Sequence, residues 1–311
     1  MIITVTLNPA FDHILFLPEL HLGKFSRAHD TIRMPGGKGV NVACSLAVLG
    51  EEVIATGFLG GQGGAAFERT LSNLGVSTSF VYAGQETRTD FFIIEEKHNR
   101  QSLVVEEGKP FEPRNLASFK SNFERLLGSA KLVEIGGSLP EGVPCSFIKE
   151  LLLATNEKKV KVALNLPESI LAECMHGANP FLIAPDLREN KSMFGLDIYN
   201  AEARLKIARK LFELGAEVVL LKYGNLKYLA ATRDELWDGE IDLEEKSILI
   251  GVRDAVLAGF VHKYLEKADL AAALRYGLGA GRSTASNKMN YPRSKKEAEE
   301  FSLLAKVERI G

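Results

Sequence analysis

The chain has 311 residues, of which 46% are hydrophobic and 25% charged, enough for one large domain with appendages or for two smaller ones with a substantial core. Its net charge of −2 gives no global basic surface for nucleic acid or acidic lipid, so an anionic ligand has to be met by local groups. No stretch reaches the ~18 uninterrupted apolar residues of a membrane span, and Cys44, Cys145 and Cys174 are widely separated and lack metal-ligand spacing, as expected of buried thiols in a reducing cytosol.

An apolar strand candidate, Ile2–Leu7, opens the chain, with Asp12 following and neither a basic leader nor a small-residue cleavage site. We therefore expect a soluble, cytoplasmic protein. Between Phe11 and Met34 a period-two pattern runs without a helix. Helical periodicity then covers Gly39–Leu49, an apolar run covers Val53–Phe58, and a helix is predicted over Ala65–Leu74. Thr89 to Val105 reads as a hairpin, Asp90–Ile94 and Gln101–Val105 flanking the polar turn Lys97–Arg100. The alternation resumes with helix Glu112–Leu127, strand Leu132–Ile135, helix Ser146–Asn156, strands Val160–Leu164 and Phe181–Ala184, helix Ala201–Leu214 and strand Val218–Lys222. Ile248–Ile250 reads as a further strand that turns through Gly251 into a helix over Ala255–Leu265, followed by helices at Asp269–Ala280 and over the charged segment Arg293–Glu300.

Such alternation predicts a mostly parallel sheet with helices on both faces, whose ligands lie at the carboxyl ends of the strands. The two period-two segments read as a small β-sheet lid, inserted at about 11–34 and 88–106 of a single α/β domain. Its apolar strand edges suit a second subunit, so a homodimer through the lid is expected.

Several turns carry chemistry. Gly251-Val252-Arg253-Asp254 places unpaired backbone N–H groups and the positive end of a helix beside a carboxylate: an anion seat with an acid next to it. Asp254 could equally be an ordinary helix cap. In Pro35-Gly36-Gly37-Lys38-Gly39-Val40-Asn41, three glycines in four positions allow close backbone approach, and Asn41 can bond hydroxyls. Lys38 is followed by Gly39, so this is no Walker loop. Gly61-Gln62-Gly63-Gly64-Ala65-Ala66 is a weak dinucleotide fingerprint, and a dinucleotide-dependent oxidoreductase rests on it alone.

Thr6-Leu7-Asn8-Pro9-Ala10-Phe11-Asp12, the glycine turn at Gly36–Ala43, Thr87-Arg88-Thr89, Gly137-Ser138-Leu139-Pro140 and Gly251–Asp254 running into Ala258-Gly259-Phe260 form an ordered set over essentially the whole chain. This set resembles the ribokinase-like carbohydrate kinases of the PfkB family, nearest to the 1-phosphofructokinase and tagatose-6-phosphate kinase branch. The resemblance implies a three-layer α/β/α sandwich with a β lid, and transfer of the ATP γ-phosphate to a sugar phosphate. It implies that Asp12, Gly37, Lys38 and Asn41 hold sugar hydroxyls. Lys24, Arg27 and Arg88 would hold the phosphate already on the sugar, with Ser138 lining the same pocket. Asp254 would be the general base, with Gly251, Val252 and Arg253 at the anion hole and Mg²⁺ bridging the nucleotide phosphates.

Departures from the family cluster on the nucleotide side. Arg253 replaces the second glycine of Gly-Ala-Gly-Asp-Ser, and Ala255 the serine. That arginine either blocks the phosphate seat, with strain if its φ is positive, or clamps the phosphate itself. The Ser/Thr-x-Gly-x-x-Gly nucleotide turn stands here as Lys222-Tyr223-Gly224-Asn225-Leu226-Lys227, so Lys222, Gly224 and Lys227 are the nucleotide candidates. The magnesium-linked Asn-x-x-Glu stands as Asp186-Leu187-Arg188-Glu189, with Asp186 and Glu189 as indirect Mg²⁺ ligands. Asn165 occupies a place where Asp is common. An active kinase with an altered nucleotide pocket and an impaired relative that binds a sugar phosphate as a sensor are the two readings carried forward.

Overall fold

The computed structural model describes all residues except 85, 109, 111, 176–178 and 188–189. Eleven strands among the described residues form one large sheet. Across it run Lys306–Arg309, Leu236–Glu240, Lys227–Ala231, Val218–Gly224, Leu182–Ile183, Lys161–Asn165, Leu132–Gly136, Ile2–Thr6, Val53–Leu59 and Ser77–Thr78, with Val81–Tyr82 also paired to Val53–Leu59. From Val218–Gly224 to the Val53–Leu59 end every pairing is parallel, and the three strands on the other side are antiparallel.

Successive side chains of a strand point to opposite faces, and the central strand Ile2–Thr6 shows the result. Ile3 and Val5 enter a core with Phe119, Phe123, Phe147, Leu151, Ile207 and Leu211 from the helices Pro113–Leu127, Cys145–Glu157 and Ala201–Glu213. Ile2 enters the opposite core with Val42, Phe67, Leu257 and Leu274 from Lys38–Val48, Gly61–Asn73, Val252–Lys267 and Leu270–Ala285. The chain is thus a three-layer α/β/α sandwich. No helix among the described residues is long and apolar enough to cross a membrane.

The two period-two segments form a separate four-stranded sheet ordered Asp30–Gly36, Ala10–Leu17, Arg88–Glu95, Arg100–Val104, whose central pair is parallel. Ile14, Phe16, Met34 and Ile94 make its apolar underside, together with Ile250 and the partly buried Ile248. That packing corrects one sequence expectation: Ile248–Ile250 is not a strand. Ile248 and Ile250 face the small sheet while Leu249 is exposed, and the backbone is held by Ala285, whose carbonyl accepts from Ile248 N, and by Gln101 of the small sheet, whose side chain bonds Ser247 O and Leu249 N.

The helix predicted from Ala65 begins four residues earlier, at Gly61. Glu86 accounts for this, since its carboxylate accepts from the amides of Gln62 and Gly63 and closes the helix start. The dinucleotide-like glycines are therefore structural. Phe11 packs over Gly63, and Tyr82 over Gly64.

One close approach fixes the site helix on the sheet. A Cβ on Gly39 would stand 2.6 Å from Thr6 Oγ1 and 2.7 Å from Val5 O. Gly39→Ala should therefore force the helix Lys38–Val48 off the strand Ile2–Thr6, with a loss of about 1–3 kcal/mol in urea denaturation.

Candidate active site

Gly251 adopts φ +71°, and a Cβ there would lie 2.2 Å from the Asn290 carbonyl oxygen. Only glycine fits both demands. The helix Val252–Lys267 starts immediately after it, so the amides of Arg253 and Asp254 have no intrahelical acceptor, while Val252 N donates to Leu249 O at 3.5 Å. Arg253 lies within the helix, and Gly251 takes the left-handed conformation instead. The strain considered for Arg253 from sequence is absent.

Asp254 is buried in that first turn. Asn41 Nδ2 donates to its Oδ2 at 2.8 Å, and Asn165 Nδ2 to its Oδ1 at 3.1 Å. Lys38 Nζ lies 3.3 Å from Asp254 Oδ1 and 3.4 Å from Asp186 Oδ1, and Arg253 Nη1 is 3.2 Å from the same Asp186 oxygen. Two buried carboxylates are thus cross-braced by two cations, the arrangement that buried charge requires. Lys38, expected at the sugar hydroxyls, sits between the two aspartates. Asn165 supplies a donor where an Asp would set a third carboxylate against them.

Towards the small sheet the network continues through Asn290, which sequence reasoning missed. Its side-chain amide donates to Asn41 Oδ1 and Pro35 O, both at 2.8 Å, and reaches Asp12 Oδ2 at 3.4 Å. Asp12 is buried beneath Gly36, where any Cβ would overlap its carboxylate. Burial, and then the neighbouring Asp90 paired with it across the strands, push the Asp12 carboxyl up to about 8. Arg88 pairs with Asp90 at 3.2 Å and donates to the carbonyls of Asn8 and Glu106. Asn8 Nδ2 also reaches Ser138 Oγ at 3.3 Å. Asn8, Arg88 and Glu106 line a cavity of about 250 Å³ together with Gly60, Glu86 and Thr87.

Glu134 is a second residue the sequence pattern did not flag. It is buried in the sheet opposite Thr4, and among the described residues neither carboxylate oxygen has a hydrogen-bond partner. Burial, then the charge of Asp254, hold its carboxyl well above the usual range.

The other candidates fall in three places. Gly37 caps the helix Lys38–Val48 with φ +107°, its missing Cβ leaving room for Thr6. Lys24 and Arg27 stand exposed on the loop between the first two strands of the small sheet, Arg27 over the ring of Phe25. Lys222 and Arg253 line a recess on the other side of Asp254 with Asp186, Asn165 and Tyr228. Gly224 and Lys227 close the hairpin beyond, Lys227 paired with Glu240 on the outer surface. Glu189 lies outside the described residues.

A parallel-sheet sandwich with a glycine-capped helix start, a buried acid and flanking cations defines a phosphotransferase-type site. The chain matches the pfkB family carbohydrate kinase description over residues 6–292. It belongs to that family, phosphotransferases whose acceptor is an alcohol group. It is 27% identical over 285 residues to a 1-phosphofructokinase of Bacillus subtilis (strain 168), covering 92% of each chain. Among solved structures it is similar to a possible 1-phosphofructokinase from Thermotoga maritima, with TM-score 0.92 and 29% identity over 100% of this chain and 99% of that one. Its fold is also that of Escherichia coli phosphofructokinase-2 in complex with substrates and products, with TM-score 0.89 and 22% identity over 97% and 99% of the two chains.

The raised Asp12 has a stability consequence. Native Asp12 keeps a proton that the unfolded chain releases near its ordinary 3.8, so this contribution falls as pH climbs from there to about 8. Asp12→Asn should flatten the dependence of unfolding free energy on pH across that window in urea titrations at stepped pH, and an unchanged slope would refute it.

Proposed function

We propose that this chain is an ATP-dependent sugar-phosphate kinase that transfers the γ-phosphate to a hydroxyl of a ketohexose phosphate: fructose 1-phosphate, tagatose 6-phosphate or fructose 6-phosphate. The observation that carries the reading is Asp254, buried at a glycine-capped helix start and held by Asn41, Asn165 and Lys38. The 1-phosphofructokinase relatives support the acceptor class.

In this reading Asp254 takes the proton of the acceptor hydroxyl as that oxygen attacks the phosphorus in line. The amides after Gly251 stabilise charge on the transferred phosphoryl group. Asp12, Asn41 and Asn290 orient sugar hydroxyls, and Arg88 with Ser138 bounds the end bearing the sugar's own phosphate. Mg²⁺ is bound by one or two carboxylates together with substrate phosphates. Asp186, a buried carboxylate on the donor side, would hold the ion if Lys38 and Arg253, which pair with it here, turned to the phosphates. Bound there, the ion would neutralise charge on the nucleotide phosphates.

The small sheet serves in this reading as a lid that excludes water and joins two subunits. Its outer strand Arg100–Val104 is exposed throughout, and its loop presents Leu22 and Phe25 at 86% and 78% exposure. Apolar groups placed so on a sheet edge suit a second copy.

Purified protein with Mg-ATP should phosphorylate at least one of the three sugars, and Asp254→Asn should lower kcat about 10²–10⁴-fold while sugar-phosphate binding persists in calorimetry. Binding without turnover for every donor would leave the sensor reading in its place. Sedimentation should give a dimer for the native chain and a monomer when Leu22 and Phe25 are both changed to Glu; a monomer at both would remove the lid contact.

A further inference from the structure

The face of the small sheet that lies against the body of the molecule carries one row of side chains in register. Asp30 pairs with Phe16, Phe16 with Ile94 and Ile94 with Gln101, one residue from each of the four strands. Direct partners across a ladder point to the same face. Phe16 and Ile94 are buried in the apolar underside with Ile250, so Asp30 and Gln101 meet the body from the two ends of the row. Each end makes a polar contact there. Asp30 Oδ2 pairs with Lys288 Nζ, which also lies 4.5 Å from the centre of the Phe16 ring. Gln101 uses both polar atoms of its amide, Nε2 donating to Ser247 O at 2.7 Å and Oε1 accepting from Leu249 N at 2.9 Å.

The two segments clasped in this way converge on Gly251. Lys288 stands two residues before Asn290, whose carbonyl oxygen would lie 2.2 Å from a Cβ on Gly251. Ser247 and Leu249 lead directly into the glycine turn, and the Leu249 carbonyl accepts at 3.5 Å from Val252 N, the first residue of the helix that holds Asp254. Leu249 is thus tied to the small sheet through its amide and to the helix start through its carbonyl. Its side chain is 42% exposed and adds little to its placement. Backbone hydrogen bonds set where this residue stands, and Gln101 makes the one to its amide. The same small sheet carries Asp12 on the strand Ala10–Leu17 and Arg88 at the start of Arg88–Glu95.

We infer that Gln101 is a positioning residue for phosphoryl transfer, setting the Gly251 turn against the sheet that carries the acceptor-side groups. The inference rests on the kinase reading above. Transfer in line depends on how acceptor and donor are aligned, and a misplacement of about 1 Å costs about a hundredfold in rate. Gln101 acts through Leu249 and touches neither substrate. It fixes the spacing between the sheet that orients the acceptor and the amides that receive the phosphoryl group.

The test compares the full native chain with Gln101→Ala and Asn99→Gly. Asn99 Nδ2 bonds the Glu245 carbonyl, a contact between the same sheet and the same loop but farther from Gly251, and glycine accepts its φ of +46°. Gln101→Ala should lower kcat about ten- to a hundredfold with the acceptor KM unchanged, the pattern of an interaction that matters in the transition state. Asn99→Gly should leave kcat in place. Hydrogen–deuterium exchange should quicken from Leu249 to Val252 in Gln101→Ala and stay native farther along the helix, while sedimentation matches the native chain. A native kcat in Gln101→Ala, an equal loss in Asn99→Gly, or a loss that follows dissociation of subunits would overturn the inference. Absence of turnover in the native chain would instead strike the kinase reading, and the exchange from Leu249 to Val252 would then decide the clasp by itself, native rates refuting it.

Discussion

The buried carboxylate of Asp254 is the constraint around which the molecule is arranged. A charged group this far from water is tolerable only when donors surround it, and its three donors come from separate parts of the fold. Lys38 and Asn41 lie on the helix after the glycine turn, and Asn165 ends a central strand. Holding them within hydrogen-bond reach requires the helix Lys38–Val48 to lie tight on the sheet, which Gly39 permits, and the helix Val252–Lys267 to start abruptly, which Gly251 permits. Backbone geometry and site electrostatics are in this sense one requirement.

The acids around this centre are sorted by what surrounds them. Asp254 and Asp186 have cations within ion-pair reach. Asp12 is buried, has among the described residues the longest of Asn290's contacts and has a second carboxyl beside it, and its affinity for a proton rises accordingly. Glu134 has no hydrogen-bond partner among the described residues and lies behind the first turn of Lys38–Val48, where its carboxyl reaches the space that side chains on Gly39 and Gly136 would need. A proton is the least costly compensation there. The interior therefore combines acids with a raised affinity for a proton on the sheet and sugar side with ion-paired acids on the donor side.

Much of the frame was legible in the sequence, because parallel strands buried on both faces read as short apolar runs between amphipathic helices. Ile2–Thr6, Val53–Leu59, Leu132–Gly136 and Lys161–Asn165 all fall where those runs do. The antiparallel side was less visible. Lys227–Ala231 follows a turn whose residues drew attention as a motif, and Leu236–Glu240 has no clear alternation. Ile248–Ile250 misled for a physical reason: apolar residues such as Ile248 and Ile250 can pack under a neighbouring sheet without joining one. Within the site, residues in glycine turns announced themselves through local spacing. Asn290 and Glu134 did not, since what marks them is a partner, or the lack of one, far away in sequence.

The recess on the other side of Asp254 changes how the unusual residues there are understood. Read along the chain, Lys222 and Arg253 look like separate losses of small residues that a phosphate seat needs. In space they line one recess together with Tyr228. The backbone seat at Gly251 is intact, because the left-handed conformation falls on the glycine and Arg253 is helical. The guanidinium reaches Asp186, adding positive charge where two aspartates already lie and where a polyphosphate would bring more negative charge. The substitutions that set this chain apart thus bring charged side chains to one recess that Asp186 also lines, and leave the glycine-capped helix start undisturbed.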